Sequence, residues 1–286
     1  MIDFNNGKII PNKFSGSEKK ITIEYINDIY MLKFPDPIRQ KNRLLSYMNN
    51  QYSEYIGCHI FKACGFTTQD TLLGIHKDNK GNNKIVVACK DFTQDGSILY
   101  EASKIALTVY DIENKTNLSI EDVYSMIRSC EFINNPNEII GSFWDMFVVD
   151  TLLGNPDRHL TNWGLLYKNG IMQYAPIYDC GSSLGALLSD ESMKINLSNP
   201  NLFKQTEYNI TSCYYLENKR IFYHEIMKAP SEDLQLAIKR IVPKIDIKRI
   251  YAIVNSTENL PDIRKEYLIK SIVMRYEQIL LPSLKR

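Results

Sequence analysis

No charge excess, no metal-binding cysteine spacing and no long apolar run mark this sequence. Lys and Arg total 34 against 33 Asp and Glu, a formal net charge of +1. Nothing electrostatic therefore favours nucleic acid or an anionic membrane as the main partner. The six cysteines, Cys58, Cys64, Cys89, Cys130, Cys180 and Cys213, include no C-x-x-C pair, and the four histidines do not cluster with them. This speaks against a zinc site and a disulfide framework, and it fits reduced thiols in a cytosol-like compartment. No stretch approaches the roughly 20 apolar residues needed to cross a bilayer. The start MIDFNNGKII lacks the charged-then-apolar order of a secretory signal. The expected location is the cytoplasm. Translocation into a host cell without a classical signal peptide stays open, because receptor-read export signals need not be hydrophobic.

What is present is ordinary for a globular chain: 286 residues, 44% hydrophobic and 23% charged. That length suits one large domain or two lobes. The texture changes along it. Residues 1 to 95 hold short β-like runs, and residues 96 to 286 read mainly as helices interrupted by one hairpin. Ile21 to Tyr25 alternates apolar and polar residues, Asn27-Asp28 reads as a turn, and Ile29 to Phe34 returns as a second strand ended by Pro35 and Pro37. A helix is expected from Ser53, as cap, to Cys64, with Glu54 in its first turn. Strands follow at 71–75 and 84–89. Ile140, Phe143, Trp144, Phe147, Val148 and Thr151 recur at helical spacing up to Gly154-Asn155-Pro156. Strands 163–167 and 171–178 flank the turn Lys168-Asn169-Gly170. Later helices are expected at 222–228, 232–241 and 261–281, the last with Pro261 in its first turn.

Chemistry concentrates in GNPDRHLTNWG, residues 154 to 164, and APIYDCGSSL, residues 175 to 184. A hairpin closed at Asn169-Gly170 returns its outer ends, Asn162 and Asp179, toward each other. Asp157 lies in the loop leading in. Two carboxylates and an amide thus meet at the open end of a ribbon, the donor set that magnesium takes together with water and substrate phosphates. The spacing D-x-x-x-x-N also separates the base from the metal-binding amide in protein kinases, where a later Asp close before a Gly holds metal beside the nucleotide phosphates. Either half alone reads equally well as a turn, since Asn, Asp and Pro are turn residues. Joined across a hairpin and downstream of a β-rich lobe, they point to phosphoryl transfer.

The run DTLLGNPDRHLTNWGLL with APIYDCGSSL resembles the HipA-like serine/threonine kinases, and within them the short cell-translocating type that lacks an added N-terminal subdomain. The resemblance extends through SEYIGCHIFKACGF, NKIVVACKDFT and FWDMFVVDTLLGN. It implies an α+β, two-lobed protein-kinase-like fold that uses ATP and magnesium to phosphorylate Ser or Thr on a protein. It implies Asp157 as catalytic base, Asn162 and Asp179 as metal ligands, and His159 and Tyr178 beside the nucleotide phosphates. Lys33 becomes the phosphate-binding lysine, and Ala88-Cys89-Lys90 the hinge holding adenine. Ser15-Gly16-Ser17-Glu18-Lys19-Lys20 becomes the loop over the phosphates, with Ser15 or Ser17 as an autophosphorylation site. That loop has only one Gly, unlike the G-x-G-x-x-G loop of common kinases. Lys33 beside Pro also fits an exposed edge residue. Glu54, the candidate partner of Lys33, also fits a stabilising acid near a helix N-terminus. Two other functions remain in view: a phosphoinositide-type lipid kinase, disfavoured by the balanced charge, and a nucleotide-binding pseudokinase acting as an interaction module.

Overall fold

The computed structural model describes residues 1–12, 20–35, 49–109, 118–216 and 219–285. Six strands build the first sheet: β1 (Ile2–Asp3), β2 (Lys8–Ile10), β3 (Lys20–Tyr25), β4 (Asp28–Lys33), β5 (Thr71–Lys77) and β6 (Asn83–Lys90), in the order β1-β5-β6-β4-β3-β2. Among the described strands of this sheet, only the β1–β5 pairing is parallel. The β3–β4 turn falls on Ile26-Asn27, one residue before the expected position, because Tyr25 pairs directly with Asp28. Both turn residues have positive φ, 48° and 66°. That is the two-residue hairpin geometry whose twist matches the strands, and here an exposed Ile accepts a backbone that β-branched residues rarely adopt.

Helix α1 (Asn50–Ala63) packs under this sheet. It starts at Asn49 rather than Ser53, which places Glu54 in its second turn and wholly inside the protein. Alternation sorts the strands. Met31, Leu73, Val87 and Cys89 join the large core with α1, whereas Tyr30, Leu32, Val86 and Ala88 form a second cluster around Phe4.

The rest is mainly helical. It contains β7 (Ile98–Glu101), α2 (Ala102–Val109), α3 (Ile120–Ser129) and α4 (Pro136–Leu153), followed by the hairpin β8 (Gly164–Lys168) and β9 (Ile171–Tyr174). Helix α4 is its axis. It buries Ile139, Phe143, Met146, Phe147, Val149 and Leu153 on all sides, so it is a central helix rather than a one-striped one. Pro136 opens it after the Asn135 cap, and Gly154 ends it in the left-handed region at φ 61°. The β8–β9 turn uses Asn169 and Gly170 at φ 53° and 81°. The helix expected over 261–281 runs Asp262–Arg275 and continues as a wider π-turn, Tyr276–Leu280, just before Pro282. A small β-rich lobe beside a larger, mainly helical one is therefore the observed architecture. Among the described residues, no helix is long and apolar enough to cross a membrane.

Candidate active site

One buried arginine organises the loop after α4. Arg158 is 1% exposed. Its Nε and Nη2 donate to the two oxygens of Asp150, in the last turn of α4, at 2.8 and 3.1 Å. Its Nη1 donates to the carbonyls of Asn162 (2.8 Å), Asp179 (3.2 Å) and Tyr178. Burial opposes the guanidinium charge, but the Asp150 carboxylate and Cys180 together outweigh it and hold Arg158 more firmly protonated than usual. The β8–β9 ladder ends at Leu165 and Tyr174, with one further bond from the Ala175 amide to the Gly164 carbonyl. Beyond it, the two chain segments are drawn together by this guanidinium rather than by strand pairing. Asn155 completes the knot: its amide donates to Asp150 at 2.9 Å, and its side-chain oxygen accepts from the Asp157 amide at 3.1 Å.

Lys33, at the end of β4, reaches across the cleft between the lobes. Its ammonium donates to Glu54 Oε2 at 3.0 Å and to Asp179 Oδ1 at 2.7 Å. It is 6% exposed, so it is not a solvated edge residue. The other oxygen of Glu54 accepts from the Cys180 amide at 3.2 Å, which ties α1 to the segment carrying Asp179. That segment fits closely because residue 57 is Gly: a Cβ there would meet the Cys180 Cβ at 2.6 Å. Burial alone would raise the Asp179 carboxyl, but Lys33, with help from Arg158 and His159, keeps it below the usual carboxylate range. Asp179 also sits at φ 57°, strain that its surroundings sustain.

Asp157 faces the same space. Its Oδ1 lies 3.5 Å from His159 Nε2, and its Oδ2 accepts from the Ser182 hydroxyl at 3.0 Å. The Asn162 amide nitrogen donates to the Asp157 carbonyl at 2.7 Å, and its Oδ1 accepts from the Thr161 hydroxyl at 3.3 Å. His159 is exposed, its Nδ1 2.8 Å from the Thr161 hydroxyl. Tyr178 reaches the Thr161 carbonyl at 3.2 Å, and burial pushes its hydroxyl pKa upward.

Two expected groups sit differently. Ala88, Cys89 and Lys90 belong to β6, which lies between β5 and β4, so the sheet already uses their backbone. The Lys90 amide donates to Asp70 and its carbonyl accepts from Gln69. The Asp91 amide also donates to the Ile29 carbonyl, at 2.9 Å, so bonding to the sheet runs one residue past Lys90 before the chain leaves for β7. Of the expected phosphate loop, Lys20 opens β3 opposite Lys33. Ser15, Gly16, Ser17, Glu18 and Lys19 lie outside the described residues. Sequence reasoning passed over Arg158 and Ser182. The only signal for either was their place inside the two motifs.

The fold and these side chains define a kinase-like phosphotransferase site. The family model for the HipA-like C-terminal domain matches residues 13–242. The serine/threonine-protein kinase CtkA of Helicobacter pylori strain J99 is 37% identical over 287 residues, spanning 98% of this chain and 86% of that protein. A crystal structure of the Helicobacter pylori proinflammatory kinase CtkA superposes with a TM-score of 0.89 at 36% identity, covering 99% of this chain and 97% of that one. HipA of Shewanella oneidensis, solved with HipB and operator DNA, shares the fold alone. Its TM-score is 0.58 at 12% identity, over 96% of this chain and 67% of that one. The chain belongs to the HipA-like family and is a serine/threonine kinase of that type.

Proposed function

We propose that the chain transfers the γ-phosphoryl group of ATP to a serine or threonine hydroxyl of a protein, with Asp157 as general base. The observation that carries this reading is convergence: Asn162 and Asp179 are gathered on Arg158, Asn162 is bonded to Asp157, and the Lys33–Glu54 pair, from β4 and α1, joins them through Asp179. In this reading residues 1–95 form the smaller lobe and 96–286 the larger one. Asp157 orients the acceptor hydroxyl and takes its proton. Lys33, held by Glu54, supplies a point charge to phosphate oxygens. The segment that leaves the sheet after Asp91 is the one proposed to meet adenine, with His159 and Tyr178 beside the phosphates. A carboxylate and an amide oxygen suit a hard cation. Asp179 and Asn162 would hold magnesium, which supplies positive charge against the phosphates. A cation held by Asp179 would compete with Lys33 for that carboxylate, and Lys33, kept by Glu54, would then direct its charge to the nucleotide phosphates.

Metal dependence tests this directly. Asp179→Ala is expected to abolish magnesium-dependent ATP binding measured by titration calorimetry, and Asn162→Ala to weaken it less. The carboxylate contributes charge to the ion that water cannot replace. Binding that keeps its wild-type magnesium dependence in Asp179→Ala refutes the metal assignment.

A further inference from the structure

A cavity adjoins the segment that carries Asp179. Ile177 lines it, while the next two residues, Tyr178 and Asp179, belong to the candidate site. Phe66, from the loop after α1, and Ile241, at the end of the helix Glu232–Ile241, add to its apolar lining. Its volume is about 230 Å³. That is below the span of ordinary small-molecule pockets, roughly 300–1,000 Å³, and suits one large apolar side chain. Asp145 also lines it, and Arg240 neutralises that acid through three bonds of 2.7 to 3.1 Å.

The rim is basic. Lys244 lines the cavity, and so does Cys64, whose thiol burial pushes up to about 12 against the opposing charges of Arg249 and Lys244. Lys248 precedes Arg249, and all three cations are exposed. Among the described residues, none of the three is in an ion pair. Residues 239–249 hold five cations, Lys239, Arg240, Lys244, Lys248 and Arg249, against Asp246 alone, in a chain of net charge +1. Such a run is often only a solvated face, but stability does not ask for it here. Lys248 and Arg249 occupy the first turn of the helix Ile247–Ser256, the end where the macrodipole disfavours cations. Asp246 already caps both of their amides, at 2.9 and 3.2 Å.

We propose that this face docks an acidic segment of the protein acceptor, with one apolar side chain seated in the cavity and carboxylates on Lys244, Lys248 and Arg249. The proposal rests on the kinase reading above. The cavity selects a protein segment over a bilayer surface, because an anchor side chain in a pocket with a charged rim is the anatomy of a protein interface. Opposite charge speeds encounter and holds the acceptor on the enzyme, and salt screens it. The face therefore acts on acceptor KM and not on the chemical step.

The double variant Lys248→Glu, Arg249→Glu tests it without threatening the fold. Acids suit a helix's first turn, and Glu three residues after Asp246 completes a capping box. The variant should unfold at or above the wild-type temperature. Its affinity for a fluorescein-labelled glutamate-rich peptide with a single phenylalanine should fall at least about tenfold, the scale of several charge contacts reversed together. Replacing that phenylalanine by alanine should weaken binding to the wild-type chain at least about tenfold, the scale of burying one large apolar side chain. In transfer assays the variant's KM for casein, an acidic protein, should rise similarly, with kcat and the KM for ATP unchanged and no rise for myelin basic protein. Equal peptide affinity of variant and wild type, or equal KM shifts for both proteins, overturns the docking face and leaves the kinase reading. Phosphatidylserine vesicles released by the variant, with peptide affinity unchanged, assign the face to lipid and overturn the proposal. Peptide binding lost in the variant, with no transfer to any protein by the wild type, removes the kinase reading and keeps the acidic-segment site.

Discussion

Asp157→Asn is expected to slow phosphoryl transfer by about two to four powers of ten, the usual contribution of a general acid–base residue. The change removes a proton acceptor and little else. Asn matches Asp in shape, and an amide oxygen can still accept the Ser182 hydrogen bond. The main-chain contacts that hold the loop, the Asp157 amide on Asn155 and its carbonyl on Asn162, are untouched. Asp157 is about one-third exposed, so no uncompensated buried charge is created elsewhere. ATP affinity and the denaturation midpoint should therefore stay at wild-type values while the single-turnover rate falls. A rate within a few-fold of wild type would take Asp157 out of the mechanism. Parallel losses of rate and stability would mean that its part is structural.

Arg158→Met carries the largest expected stability effect. Asp150 is completely buried, and Arg158 meets both of its oxygens. Removing one partner of such a pair costs about 3–5 kcal/mol, because the remaining charge is stranded in a low-dielectric interior. Three carbonyls also lose their donor, two of them flanking the Asp179 side chain. Replacing both partners by apolar residues is far less costly than either single change suggests. A cycle of Arg158→Met, Asp150→Leu and the double variant, followed by urea unfolding, should show strong coupling. The double variant should recover stability without recovering transfer, since nothing then gathers Asn162 and Asp179. Arg158→Lys is not a conservative alternative, because one ammonium cannot span a carboxylate and three carbonyls. A single-variant loss below about 1 kcal/mol, the level of an ordinary surface pair, would contradict the central place given to Arg158.

The parts of the site legible in the sequence were those fixed by local rules. Asn169-Gly170 announces a hairpin, because both residues tolerate the positive φ that the turn requires. That hairpin brings the two halves of the motif together. Glu54 as partner of Lys33 was readable from the order of strand and helix, and the 3.0 Å contact bears out the pairing. What local rules could not give was tertiary. A lone Arg in a polar loop reads as a surface residue, and only the packing of α4 beneath it turns Arg158 into a buried clamp. Helix α1 begins three residues before Ser53 because tertiary burial of Asn50, Gln51 and Tyr52 extends it. Strand β6 runs on through polar Lys90, whose ammonium meets Asp28 across the sheet at 2.8 Å. Ala88-Cys89-Lys90, assigned from the resemblance, therefore lies within the ladder. Ser182 looked like a small loop residue until Asp157 was seen against it.

Phosphoamino-acid analysis after incubation with γ-labelled ATP tests the account most directly. The purified chain is incubated with a protein acceptor, with magnesium or with a chelator, alongside anionic lipid vesicles as a competing acceptor. The account predicts phosphoserine or phosphothreonine on protein, no labelled lipid, and no product in the chelator sample or with Asp157→Asn. Label confined to lipid, or ATP bound with nothing phosphorylated, would contradict it.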